Sequence, residues 1–169
     1  MIAVRDAGEF VIRDLPRILI VDVDPGMRRL LRVSLQRQGY ECMEANAATA
    51  AIAIVAKCKP DVILLDPALP GYSGLVVLER IRKTVFTPIV VLSAQNDLAR
   101  KVLALELGAD TYVTKPFDMD ELLARLKVAL RHGLQAAGEA PVFQTGPLTV
   151  DLVRKKIFLC DDEIHLSPK

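Results

Sequence analysis

The chain has 169 residues, half of them apolar, with 22 basic and 21 acidic side chains and a net charge of +1. That suits one ordinary domain plus part of a second, and it excludes a disordered chain and a globally basic nucleic-acid binder. No apolar run nears the roughly 20 residues a membrane helix needs, and the scattered Cys42, Cys58 and Cys160 fit reduced thiols of a cytoplasmic protein, with neither zinc site nor disulfide framework expected.

Residues 1–15 carry Arg5, Asp6, Glu9, Arg13 and Asp14 among short apolar stretches; they lack a signal-peptide core and read as an N-terminal extension. From 16 to 131 short apolar runs alternate with helical patterns. Residues 18–21, 62–65 and 89–92 are continuous, mostly β-branched runs, as expected of parallel strands covered on both faces. Residues 41–45 and 112–114 are weaker strand candidates. Met27, Leu30, Leu31, Ser34 and Leu35 recur at helical spacing, with Arg28, Arg29, Arg32 and Gln36 opposite and Gly39 as the stop. Further helices are predicted over 47–57, 75–82 after Gly74, 98–107 between a capping Asp97 and Gly108, and from Asp118 or Asp120 to about Arg131. The last carries Leu122, Leu123, Leu126 and Leu130 on one face.

Five strand–helix repeats predict an α/β fold, a five-stranded parallel doubly wound sheet. Residues 132–141 are rich in Gly and Ala and read as a linker. Residues 142–169 show short strand-like pieces at 142–144, 148–150, 156–160 and 163–166, broken at Gly146-Pro147 and Asp161-Asp162. They read as an antiparallel meander without its helices, the leading edge of a truncated domain, because so short a piece cannot bury a core alone.

In open parallel sheets the functional site lies beyond the carboxyl ends of the strands. Asp22 and Asp24 follow the first run, Asp66 the third, Ser93 the fourth, and Lys115-Pro116 the fifth. Taken singly, an Asp after a strand is usually a turn former, a Ser a cap and a Lys a solvated group. Together they describe a different chemistry. Clustered carboxylates can hold Mg²⁺, a carboxylate beside it can attack a phosphoryl group, and a hydroxyl with an ammonium can neutralise the transferred oxygens.

The segments Ile18-Leu19-Ile20-Val21-Asp22, Leu65-Asp66 with Leu69-Pro70-Gly71 and Gly74, Val91-Leu92-Ser93-Ala94, and Gly108-Ala109-Asp110 through Tyr112 to Lys115-Pro116-Phe117 resemble the CheY-like (flavodoxin-like) receiver domain of response regulators. The likeness covers about 115 residues with every landmark in order. It implies that Asp66 accepts phosphate from the phosphohistidine of a sensor histidine kinase, that Ser93 moves to bond it and that Lys115 contacts it. It implies that Tyr112 rotates inward as the aromatic switch, that Pro116 follows a cis bond, and that Mg²⁺ is held by Asp22, Asp66 and the Ala68 carbonyl. Such a protein accepts and loses its own phosphoryl group and is not expected to be an enzyme.

One position departs from that family. Receivers usually carry two adjacent acids after the first strand, and here Val23 stands second. Asp24 matches a third acidic position that does not usually reach the ion; here Asp24 or water is expected to fill the gap. Losing one charged ligand of three is expected to weaken Mg²⁺ binding. The alternative is an atypical receiver that acts independently of phosphorylation.

The linker and tail resemble the OmpR/PhoB class, in which a winged-helix DNA-binding domain follows the receiver. That likeness implies a homodimer through the fourth helix, fifth strand and fifth helix, and DNA binding only through the C-terminal domain. Lys101 with Glu121, and Glu106 with Lys127, keep the complementary charges of that surface; Arg125 is kept too, but its acidic partner has become Thr111. Arg28-Arg29-Leu30-Leu31-Arg32, 88–94 and 121–126 are further similar to the potassium-responsive KdpE branch. Among other readings, a phosphoserine-type hydrolase expects a second acid where Ala68 stands, and a flavoprotein expects a phosphate-cradling loop where Asp22 and Asp24 would repel phosphate. A DNA-binder without receiver chemistry would rest on Arg28, Arg29, Arg32 and Arg37, which the helical pattern puts on a solvated face.

Overall fold

The computed structural model describes residues 2–5, 9–12, 15–71, 73–136, 142–145, 148–151, 156–159 and 162–164. Within 17–136 the chain runs through β3 (Arg17–Val21), α1 (Pro25–Arg37), β4 (Glu41–Ala45), α2 (Ala48–Cys58), β5 (Val62–Leu65), α3 (Gly74–Arg82), β6 (Ile89–Ser93), α4 (Leu98–Glu106), β7 (Thr111–Thr114) and α5 (Met119–Ala136). The five strands form one parallel sheet in the order β4-β3-β5-β6-β7. The chain order reverses between β3 and β5, which opens a crevice at their carboxyl ends.

Strand side chains alternate between two apolar layers. Leu19, Val21, Ile63, Leu65, Ile89, Val91 and Tyr112 pack with α2, α3 and α4 through Val55, Leu78, Ile81 and Ala104. Ile18, Ile20, Val62, Leu64, Val90, Leu92 and Val113 pack with α1 and α5 through Leu31, Leu35, Leu122 and Leu126. Each fully buried Leu, Ile or Val contributes about 1.5–3 kcal/mol of transfer free energy, so the continuous apolar runs dictate a sheet closed on both faces.

Helix starts follow from local chemistry. Asp24, Asp97 and Asp118 each accept an amide of the first turn, from Gly26 (2.8 Å), Ala99 (3.0 Å) and Asp120 (2.8 Å), which satisfies donors a helix start leaves free. Asp118, and not Asp120, therefore opens the last helix. That helix continues to Ala136, past its expected end at Arg131 and into the expected linker. Gly133 does not stop it: a Cβ there would lie 2.9 Å from Cγ of Pro88, so the glycine permits close packing instead of ending the helix. Leu30, expected on the apolar face of α1, is 53% exposed, whereas Leu31 and Leu35 are buried.

The N-terminal residues expected to be a plain extension contain an antiparallel hairpin, β1 (Ile2–Arg5) and β2 (Glu9–Ile12), with Ile2 opposite Ile12 and Val4 opposite Phe10. The tail forms a four-stranded antiparallel sheet, ordered β11-β10-β9-β8, from β8 (Val142–Thr145), β9 (Leu148–Asp151), β10 (Lys156–Leu159) and β11 (Asp162–Ile164). Gly146-Pro147, Asp161 and residues 165–169 lie outside the described residues, as does Cys160; Cys42 and Cys58 are free thiols. No helix among the described residues is long and apolar enough to cross a membrane.

Candidate functional site

The crevice between β3 and β5 gathers the residues that sequence placed at the strand ends. Asp22, Asp66 and Ser93 are the buried polar side chains of the described region. Lys115, just past β7, reaches back so that its Nζ donates to Asp22 Oδ2 at 2.7 Å and to Asp66 Oδ2 at 2.5 Å. Burial by itself would push the Lys115 ammonium down, but the hydrogen bonds and charges of Asp22 and Asp66 outweigh it and hold its pKa above the usual lysine value. It is therefore a cation at any physiological pH, placed between two carboxylates that would otherwise repel. The Lys115–Pro116 bond is cis.

The remaining carboxylate oxygens are aimed by the backbone. Asp66 Oδ1 accepts the Ala68 amide at 2.7 Å, and Asp22 Oδ1 accepts the Asp24 amide at 2.8 Å. Asp66 thus presents one oriented carboxylate at the mouth of the crevice, 8% exposed.

Mg²⁺ takes one or two protein carboxylates with water in the remaining positions. Asp22 and Asp66 supply those two, so the donor set fits such an ion, and a backbone carbonyl at Ala68 could join them. Asp24 Oδ1 accepts the Gly26 amide as the N-cap of α1. Among the described residues no three His, Cys, Asp or Glu side chains gather as a metal-holding group. Val23 is 43% exposed.

Ser93 and Tyr112 are brought together through one residue. Ser93 Oγ accepts the Gln95 amide at 3.1 Å, and the Tyr112 hydroxyl donates to the Gln95 carbonyl at 2.9 Å. Tyr112 is buried among the apolar residues beneath α4. The expected pairing residues Lys101, Glu106, Glu121, Arg125 and Lys127 are exposed on α4 and α5, and Arg125 pairs with Glu121 within its own helix at 2.7 Å.

Sequence reasoning missed two participants. Gln95 was hidden because it acts through its backbone, which any residue offers. Arg28, assigned to a solvated face, is only 16% exposed and donates to the carbonyls of Asp22 (2.7 Å) and Val23 (3.0 Å). Its place in the first turn of α1, just after the acidic loop, was the available signal.

A buried acid pair bridged by lysine, at the topological switch point of a β4-β3-β5-β6-β7 sheet, defines a receiver-type site. Residues 18–127 match the family model for the response regulator receiver domain, and the chain belongs to that family. It is 45% identical over 152 residues to the transcriptional regulatory protein KdpE of Mycobacterium tuberculosis, covering 89% of this chain and 67% of that protein. It is 40% identical over 154 residues to the phosphate regulon transcriptional regulatory protein PhoB of Pseudomonas aeruginosa, with the same coverages of 89% and 67%. Among solved structures it matches the BeF3-activated N-terminal receiver domain of Klebsiella pneumoniae RstA with a TM-score of 0.66 and 32% identity, over 68% of this chain and 98% of that one. The chain is thus a two-component response regulator receiver domain of the OmpR/PhoB type, spanning about two thirds of the length of the curated relatives it matches.

Proposed function

We propose that Asp66 is the phosphoacceptor of a switch driven by a sensor histidine kinase, and that phosphorylation controls pairing of two copies to regulate transcription through a C-terminal DNA-binding domain. The observation that carries this reading is the convergence of Asp22, Asp66 and Lys115 at one crevice. The Asp66 carboxylate attacks the phosphorus of a phosphohistidine, the P–N bond breaks, and an acyl phosphate forms. Lys115 stays charged throughout and meets the transferred oxygens. Asp22 keeps Lys115 oriented from the opposite side. A Mg²⁺ held by Asp22, Asp66 and the Ala68 carbonyl would supply the remaining charge neutralisation.

Movement of the Ser93 hydroxyl toward the phosphoryl group releases the Gln95 amide. Since Gln95 also holds the Tyr112 hydroxyl, that release alters the loop leading into α4. The signal therefore passes from Asp66 to the α4–β7–α5 surface through residues already linked.

Val23 supports a second reading, a receiver with weakened Mg²⁺ affinity that switches without phosphorylation. One experiment separates the two: incubation with acetyl phosphate, with and without Mg²⁺, read by intact mass beside Asp66→Asn. A Mg²⁺-dependent phosphoryl adduct absent from the variant is expected. No adduct at high Mg²⁺ sinks the phospho-switch, and recovery in Val23→Asp would assign the failure to the missing acid.

A further inference from the structure

We propose that Arg28 is a positioning residue of the acceptor crevice: clamped by Glu44, its guanidinium holds the Asp22–Val23 backbone so that Asp22 is presented correctly whether or not a cation is bound. Nη1 of Arg28 donates to both loop carbonyls, of Asp22 at 2.7 Å and of Val23 at 3.0 Å. Its Nε donates to Glu44 Oε2 at 3.2 Å, on the neighbouring strand β4. Arg32 approaches the other oxygen of Glu44 at 2.8 Å as an ion pair. Glu44 is thus fixed by two arginines of α1 and in turn fixes the plane of Arg28.

The loop is held from both sides. The Asp24 amide closes onto Asp22 Oδ1 at 2.8 Å, and the Asp22 amide donates to the Ala45 carbonyl at 3.1 Å. The carbonyls of the same two residues, Asp22 and Val23, accept from Arg28. A planar guanidinium offers several donors in a fixed fork and suits such bridging, whereas a lysine supplies only a point charge. Hydrogen bonds to a charged donor are about twice as strong as neutral ones. Asp22 Oδ2 then meets Lys115, so the clamp continues from β4 through Arg28 and Asp22 to the acceptor crevice.

The clamp matters more here than where a second acid follows Asp22. An acid at position 23 could be drawn in by a bound cation and so order the loop through the ion. Val23 offers no such grip, and the loop depends on what the protein itself supplies.

The cation arm of this inference rests on the proposed function, and its test has a second arm that does not. Arg28→Met, Arg28→Lys and Glu44→Gln would be compared with the unmodified chain by ¹H–¹⁵N spectroscopy. In metal-free protein, exchange of the Asp24 amide should quicken about tenfold or more in Arg28→Met relative to the Ile20 amide, with Arg28→Lys and Glu44→Gln in between. With Mg²⁺ alone as probe, followed at Ala68, the midpoint should rise several-fold in the same order. An unchanged Asp24-to-Ile20 exchange ratio overturns the positioning role, and so does a lower Mg²⁺ midpoint in Arg28→Met, which would make Arg28 a charge that repels the ion. If the unmodified chain shows no Mg²⁺ response, the cation reading of the crevice fails, and the exchange ratio still decides for or against Arg28.

Discussion

The carboxylate of Glu44 accepts from Arg28 on one side and, with burial, disfavours a thiolate on the other. Cys42 sits on the same strand with its Sγ 3.9 Å from the Arg32 carbonyl. Burial first, then Glu44, push its pKa up to about 11 against the opposing charge of Arg32, with a smaller push from Glu41. Because the folded value lies above the unfolded one, the thiol's contribution to stability is complete below the ordinary cysteine range and is lost as pH rises through about 11. The Cys42 thiolate is a small minority at pH 8, and the thiolate is the reactive form. Alkylation of Cys42 by iodoacetamide, followed by peptide mass, should therefore climb with pH toward a midpoint near 11. A midpoint near 9 would contradict the packing of Cys42 described above.

At the scale of elements, sequence revealed what depends on pattern and hid what depends on neighbours. The runs at 18–21, 62–65 and 89–92 announced the central strands because both faces of each are covered. Asp22, Asp66, Ser93 and Lys115 were legible because the topology places every strand end at one edge. The length of α5 was not, since Gly133 is explained only by Pro88 beside it. Nor was the β1–β2 hairpin, whose alternation is short, or Arg28, whose partners are backbone carbonyls.

The connection from α3 to β6 is another feature of this hidden kind. Arg82 donates to the carbonyls of Gly108, Val85 and Thr87 and to Asp110 Oδ2. Gly108, at φ +103, leaves room for it, because a Cβ there would lie 2.8 Å from Arg82 Cγ. One side chain thus ties the entry of β6 to the entry of β7. Arg82→Met should cost about 2–3 kcal/mol, since several hydrogen bonds to a charged donor are lost together. In urea unfolding the midpoint should fall with an unchanged slope; a midpoint within error of the unmodified chain would mean that these loops do not need the tie.

At the scale of the molecule, α4 and α5 both expose large apolar side chains. Leu98 is 73% exposed, Val102 44% and Leu105 42%, all on one side of α4, and Val128 of α5 is 43% exposed. Lys101 and Glu106 of α4 and Lys127 of α5 are exposed as well, and exposed ion pairs contribute at most about 1 kcal/mol each. If two copies pair here, apolar contact must therefore supply most of the affinity and the charges mainly the register. Leu98→Asp with Val102→Asp should abolish dimerisation of the phosphorylated chain in sedimentation velocity while leaving phosphoryl uptake at Asp66 unchanged. Lys101→Ala should weaken it only a few-fold. A double variant that still dimerises would move the pairing surface away from α4. A phosphorylated chain that stays monomeric without any substitution would mean that phosphorylation signals through something other than self-association.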